Sequence, residues 1–192
     1  MARESGRETA NGEDIVEVLR LDHAELRALL AAASRAGSVP NEEAWVRLID
    51  TLVRHEVAEE LIVYPALLGL PAGFAVVQSR TADQAAIRER LVSLDRAGFG
   101  TTAFAAISGR LGLDLVAHLD REDTQVLPIL ASRFDADHRA ELGHRFVEVG
   151  RIEPTLRARH GARLLAGPSV VDSTTALAVW IRDSAVAEGL AS

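Results

Sequence analysis

The sequence predicts an all-α protein, and two observations lead to that prediction. Nearly half of the 192 residues are apolar but only 4% are aromatic, and alanine, leucine, arginine and glutamate, which favour helices, dominate. Apolar residues also recur at alternating spacings of three and four along four segments, the pattern of helices that bury one face. Because a chain of this length can bury one core, we expect one bundle domain with an appendage.

Charge and composition exclude several classes of function. The net charge is −7 and no basic patch stands out, which disfavours nonspecific binding to nucleic acid or to an anionic membrane. The absence of cysteine excludes disulfides, thiolate metal sites and a cysteine nucleophile. No apolar run approaches the about 18 residues of a membrane span, and the first residues are polar rather than signal-like. We therefore expect a cytoplasmic protein.

The first expected helix places a histidine among apolar residues. Residues 1–12 are almost entirely polar and are expected to form a disordered lead. The helix should cover residues 13–36, and His23 lies in the middle of its inward stripe. A glycine and a proline then end the helix, and Asn41 is a suitable N-cap for the next one.

The second expected helix, residues 42–68, carries two polar residues in its apolar stripe. His55 and Glu59 are four residues apart, so they lie one turn apart on the same face. A buried carboxylate is costly unless it is paired, hydrogen-bonded or bound to a metal, so Glu59 needs a partner inside the fold.

The fourth expected helix, residues 102–132, repeats that arrangement. His118 and Glu122 are again four residues apart within the inward stripe. Pro128 falls inside the pattern and should kink or locally open the last turns, because proline cannot donate a helical hydrogen bond.

The third expected helix, residues 81–96, has the most polar inward stripe. Gln84 and Arg88 lie on that stripe together with Thr81 and Leu91. This helix therefore differs from the other three in the chemistry that it offers to the core.

The remaining residues, 134–192, form a helical C-terminal extension that we expect to pack on the bundle of residues 13–133. Asp135 or Asp137 should cap a helix that runs to about residue 149. Two proline-containing breaks follow, and a last helix is expected over residues 172–188.

Three histidines and two glutamates can thus meet in the core of the bundle; they are His23, His55, Glu59, His118 and Glu122. Nitrogen and carboxylate ligands without sulfur suit iron, manganese or zinc, and bundle cores are where carboxylate-bridged di-iron sites are built. The sequence therefore predicts a metal site.

The motifs resemble those of the hemerythrin-like, or HHE cation-binding, family over residues 13–133. The matching runs are Leu21-Asp22-His23, His55-x-x-x-Glu59 leading to Tyr64-Pro65, and His118-x-x-x-Glu122-Asp123 leading to Leu127-Pro128. Short runs in the extension, Glu141-Leu142-Gly143 and Pro154-Thr155, are similar to the tails of actinobacterial members.

The resemblance implies an up-and-down four-helix bundle that holds two non-haem irons bridged by oxygen and two carboxylates. It also assigns ligands: His23 and His55 to one metal, His118 to the other, and Glu59 and Glu122 as bridges. Asp123 is an alternative to Glu122, although Glu122 stays on the face of His118.

The sequence departs from the family in the third helix, where members place one or two histidines four residues apart. Gln84 and Arg88 occupy the corresponding positions here. An amide oxygen is a weak ligand and a guanidinium cannot ligate, so one metal or none is a second possibility. Arg88 would then point into the core and pair with Glu59 or Glu122, with simple solvent exposure as the alternative position. Tyr64 offers either a phenolate ligand to ferric iron or, as the simpler reading, a hydrogen-bonded aromatic at the core edge.

Three functions remain open at this stage. The leading interpretation is an iron-binding protein that senses dioxygen or redox state and reports to a partner protein. The second is an enzyme that acts on peroxide or nitric oxide, which the third helix disfavours. The third is a metal-free interaction module that has kept the bundle and lost the site. Zinc or manganese are alternatives to iron, and no nucleic acid or membrane partner is expected.

Overall fold

The computed structural model describes residues 14–34, 41–152 and 170–191. Over these ranges the chain forms six helices and no strand, which confirms the all-α prediction. The helices are α1 (Ile15–Ala33), α2 (Glu42–Ala58, a π-helical turn at Glu59–Val63, then Tyr64–Leu68), α3 (Gly73–Ala97), α4 (Thr102–Arg121, a π-helical turn at Glu122–Val126, then Leu127–Arg133), α5 (Ala136–Arg151) and α6 (Val170–Ala187).

The helices pack in pairs that enclose one core. α1 packs against α2, and α3 packs against α4, while the end of α4 returns to α1. α5 lies across α1 and α2, and α6 lies against α2 and α3, so both helices of the extension contact the bundle. None of the helices described is long and apolar enough to cross a lipid bilayer.

Local sequence explains the helix starts. The Asn41 side chain accepts a hydrogen bond from the backbone N–H of Ala44, and Asp135 accepts one from that of His138. The first of these caps was predicted, and the second was one of two predicted candidates. The expected disordered lead lies outside the described residues.

The start of α3 is the main correction to the expected elements. The helix begins at Gly73 instead of Thr81, because α2 and α3 are joined by a very tight turn. A Cβ at Gly73 would lie 1.7 Å from the carbonyl oxygen of Leu67, so only glycine fits this junction. Gly73 therefore makes this close approach of α3 to the end of α2 possible.

α2 widens for one turn immediately before a proline. Pro65 has no N–H to donate and its ring would crowd the carbonyl four residues earlier. The preceding turn, Glu59–Val63, is π-helical, and the N–H of Tyr64 bonds to the carbonyl of Glu59 five residues back. Glu59 is thus the first residue of a widened turn, a feature often found at functional sites.

α4 has the same construction. Its π-helical turn, Glu122–Val126, precedes Pro128, and the N–H of Leu127 bonds to the carbonyl of Glu122. The local opening predicted near Pro128 is therefore present. Each widened turn begins with the glutamate that follows a histidine by four residues.

Candidate metal site

Four of the five predicted ligands converge in the core. His23 comes from α1, His55 and Glu59 from α2, and Glu122 from α4. One ligand atom from each lies within 4.8 Å of all the others, and no member of the group is more than 1% exposed. The group could hold one metal ion.

The facing atoms in this cluster lack hydrogen-bond partners. Nε2 of His23 lies 3.4 Å from Oε2 of Glu122, and Nε2 of His55 lies 3.6 Å from Oε1 of Glu59 and 3.9 Å from Oε2 of Glu122. These separations exceed those of good hydrogen bonds, and none of the four atoms has a partner among the described residues. An unpaired buried polar atom costs about 1–3 kcal/mol. A cation between the four atoms would satisfy them all, so the residues fit a metal.

The outer nitrogens of both histidines face carboxylates. Nδ1 of His23 lies 2.6 Å from Oδ1 of Asp123, and Nδ1 of His55 lies 3.3 Å from Oδ2 of Asp22. Such carboxylate partners fix the ring and direct Nε2 towards the metal position. The two aspartates therefore orient the pair of imidazoles.

Asp123 was considered as an alternative ligand to Glu122, and it is not one of the four clustered residues. Its carboxylate lies on the outer side of His23, where Arg27 also donates to it at 2.7 Å. Although partial burial acts against it, the hydrogen bonds from His23 and Arg27 lower the pKa of Asp123. Glu122 points into the core, as its position on the His118 face predicted.

His118 is buried beside this cluster but is not one of the four clustered residues. Its Nε2 lies 3.2 Å from Oε1 of Glu122, the carboxylate oxygen that faces away from His23 and His55. Its Nδ1 lies 3.7 Å from Oδ2 of Asp83. Burial lowers the pKa of His118, and nearby carboxylates do not reverse that shift. His118 therefore adjoins the metal position without completing it.

Gln84 and Tyr64 bind the far oxygen of Glu59. The amide nitrogen of Gln84 donates to Oε2 of Glu59 at 3.0 Å and to the Tyr64 hydroxyl at 2.7 Å. The Tyr64 hydroxyl donates to the same Oε2 at 3.3 Å. Burial, and then the neighbouring carboxylates, raise the pKa of Tyr64 far above its ordinary value. Tyr64 is thus a hydrogen-bonded phenol at the core, the simpler of the two predicted roles.

The predicted inward position of Arg88 is wrong. Its side chain is 43% exposed and lies 3.0 Å from Glu60, with Glu56 at 4.0 Å. The expected pairing with Glu59 or Glu122 is therefore absent. Arg88 instead pairs with the partly exposed Glu60 and lies near the buried Glu56, both on α2.

Arg80 is the inward arginine of α3, and the sequence reading missed it. Arg80 is 1% exposed and precedes the fully buried Gln84 by one turn. The buried stripe of α3 continues through Ile87, Leu91 and Leu94 at spacings of three and four. That rhythm, extended backwards from Leu94, reaches Gln84 and then Arg80. The signal was present, but the expected helix began one residue too late to include it.

A family model, the hemerythrin HHE cation-binding domain, matches residues 14–130. The match begins just before α1 and ends near the end of α4, so it includes all five predicted ligands. Comparisons with curated proteins and with solved structures gave no significant match. The helical bundle and its buried histidine and glutamate cluster agree with the family match, and the chain belongs to the hemerythrin HHE cation-binding domain family.

Proposed function

We propose that the protein binds a metal ion, with iron as the expected metal, through His23, His55, Glu59 and Glu122. The observation that carries this proposal is the convergence of four buried, unpartnered ligand atoms from three helices within 4.8 Å. Two imidazoles and two carboxylates are a donor set that suits iron, with manganese or zinc as alternatives.

The charge of the cluster supports a bound cation. Burial, and then the nearby carboxylate of Glu122, raise the pKa of Glu59 well above its ordinary value. Two carboxylates facing each other in an apolar interior are costly without a compensating positive charge. A divalent cation would neutralise both, whereas the two histidines alone supply charge only when protonated.

The surroundings favour a small ligand. An iron ion would supply a change of oxidation state and a position for a diatomic molecule such as dioxygen or for peroxide. The four side chains are at most 1% exposed, so the fold excludes bulk water and larger molecules from the site. Asp22 and Asp123 keep the imidazoles of His55 and His23 directed inward.

Contacts with the extension favour sensing over catalysis. The ring of Phe146 on α5 meets the ring of His55 edge to face, with centroids 5.9 Å apart. Arg54, which precedes His55, donates to the carbonyls of Gly150 and Ile152 at the end of α5 at 3.2 and 2.7 Å. A shift of His55 would therefore reach α5 directly. We infer that the site responds to dioxygen or redox state and that α5 conveys the response to a partner protein.

Metal content tests the first part of the proposal. The protein is expressed in iron-supplemented medium, purified without chelator, and its metal per chain is determined by elemental analysis together with an absorption spectrum. We expect metal in the natural chain, its loss in His55→Ala, and its retention in the matched control His138→Ala, whose histidine is exposed. A natural chain that stays metal-free after reconstitution would overturn the proposal and favour a metal-free interaction module.

Hydrogen exchange tests the sensing role separately. We expect the amides of α5 to change their exchange rates between the metal-free, reduced and oxidised forms, because Phe146 and Arg54 link α5 to the site. Identical exchange in α5 in all three forms would contradict a sensing role while leaving metal binding intact.

A further inference from the structure

The core beside His118 does not provide the ligands that a second metal needs. We propose that this chain is built for a single metal and that Arg80, with Gln84, excludes a second one by placing a fixed positive charge and hydrogen-bond donors on the α3 side of the core. This inference rests on the proposed metal binding and specifies how many ions the site takes.

The first argument concerns the two oxygens of Glu59. Oε1 faces His55 and has no partner among the residues that the structure describes. Oε2 accepts hydrogen bonds from Gln84 and from the hydroxyl of Tyr64. These donors occupy the lone pairs that a bridging carboxylate would offer to a second ion. Glu59 therefore has one oxygen, Oε1, available to bind a metal.

The second argument concerns the donors that remain. Nε2 of His118 and Oε1 of Glu122 lie 3.2 Å apart, and neither has a hydrogen-bond partner within the described ranges. No group of three or more ligand residues in this part of the chain includes His118. Among histidines and carboxylates, a second ion would find one imidazole and one carboxylate oxygen, which is fewer than the three protein ligands of even an open catalytic zinc site. The unpartnered Oε1 of Gln84 offers only a weak amide oxygen.

The third argument is the charge on Arg80. Its Nη2 lies 3.1 Å from Oδ2 of Asp83, the same oxygen that faces Nδ1 of His118 at 3.7 Å. A guanidinium remains charged at any relevant pH and cannot donate a lone pair to a metal. Arg80 thus adds a permanent positive charge beside the imidazole that would have to bind the second cation.

Asp83 cannot fully offset this charge, because it is shared. Arg121 also approaches it, with Nε 3.0 Å from Oδ2 and Nη2 2.9 Å from Oδ1. Two guanidinium groups therefore face one carboxylate. Nε and Nη1 of Arg80 have no partner among the described residues, so the guanidinium is not otherwise neutralised in this region. Around Asp83 the charge balance is therefore positive, which opposes a further cation on the outer side of His118.

The test compares metal stoichiometry in two double variants. Arg80→His with Gln84→His places two imidazoles on the inward stripe of α3, whereas Gln84→His with Arg88→His differs only in which arginine is replaced. We expect about one metal per natural chain in excess Fe(II), or in excess Zn(II) as a redox-inert probe. We expect nearly two in the first double variant and no gain in the second. Two metals in the natural chain, or an equal result in both folded variants, would overturn the inference.

A milder variant keeps the test decisive if the first double variant does not fold. Arg80→Gln removes the charge and retains a polar side chain, and we expect it to bind a second Zn(II) at least tenfold more tightly than the natural chain does. Unchanged affinity for a second ion in folded Arg80→Gln would also overturn the inference. A natural chain that binds no metal contradicts the proposed function, whereas one that binds two contradicts only the single-metal inference.

Discussion

The α1–α2 side and the α3–α4 side of the core contain the same local motif in different surroundings. α2 and α4 each carry a histidine, a glutamate four residues later and a widened turn before a proline. His55 faces two carboxylates inside the cluster and a single aspartate outside it. His118 faces one carboxylate inside, and its outer aspartate is shared with two arginines.

The pKa values of the two histidines follow this difference. Burial favours a lower pKa for both imidazoles, and nearby carboxylates favour a higher one. For His55 the carboxylate of Glu59, followed by Asp22 and Glu122, outweighs burial and raises the pKa well above its ordinary value. For His118 burial prevails and the pKa is lowered. The opposing helices, and not the spacing within the motif, decide whether its histidine joins the cluster that could hold a cation.

The largest expected effect is on metal binding, and it tests whether the two sides of the core differ. His55→Ala removes one of the four clustered donors and should weaken metal binding by more than about 100-fold, because even the loss of an outer partner costs about 10–100-fold. His118→Ala should leave the metal content near that of the natural chain. Elemental analysis after dialysis measures both variants. An equal loss in the two variants would show that the two sides of the core act as one site.

Substitutions on the α3–α4 side of the core should change the free energy of unfolding more than they change the metal content. Asp83→Ala leaves the Arg80 guanidinium buried without its carboxylate and should lower the free energy of unfolding by about 3–5 kcal/mol. Chemical denaturation of metal-free protein measures the loss. Adding Arg80→Met should restore part of the stability, because the unpaired charge is then removed as well. If the double variant is no more stable than Asp83→Ala, Arg80 is not the source of the cost.

The outer partner of His55 should matter for the metal. Asp22→Asn retains a hydrogen-bonding group but loses the charge, and it should weaken metal binding by about 10–100-fold with little change in stability. Competition with a chromogenic chelator measures the affinity. Glu25→Gln, a neighbouring substitution on α1 outside the cluster, is the control and should bind metal normally. Equal affinities in the two variants would argue against an orienting role for Asp22.

The smallest expected effect compares two arginines of the same helix. Arg88→Ala removes a half-exposed ion pair with Glu60 and should change the free energy of unfolding by about 0–1 kcal/mol, since solvent screens such pairs. Thermal denaturation, alongside Arg80→Ala, measures the contrast. A larger loss for Arg88→Ala than for Arg80→Ala would reverse the assignment of inward and outward residues on α3.

Periodicity predicted most of the fold because burial imposes the same rhythm on every helix of a bundle. The bounds of α2 and α4 agree with the expected segments, and the inward placement of His23, His55 and His118 follows from their spacing among apolar residues. The convergence of histidines and glutamates was predictable for the same reason. Family membership followed from motifs that the family model also matches.

The spacing around Gln84 alone could not choose between Arg80 and Arg88, and the longer rhythm that reaches Arg80 starts one residue before the expected helix. Both lie four residues from Gln84, on opposite sides along α3, so either is compatible with the same helix face. Charged partners accompany each choice: Glu60 of α2 pairs with the partly exposed Arg88, and the partly exposed Asp83, three residues later on α3, pairs with the buried Arg80. The contact of Phe146 with His55 was likewise beyond sequence reasoning, because it joins distant segments.

The widened turns in α2 and α4 also restrict how these helices can change in length. In each turn a backbone N–H bonds to the carbonyl five residues earlier, so the turn holds one residue more than a regular helical turn. Removing one residue there would return the turn to the regular four-residue pattern and keep the residues beyond it in phase. Removing one residue from a regular stretch instead rotates everything beyond it by about 100° about the axis. Single-residue deletions, apart from the two glutamates themselves, should thus be better tolerated in the widened turns than in the regular helix that precedes them.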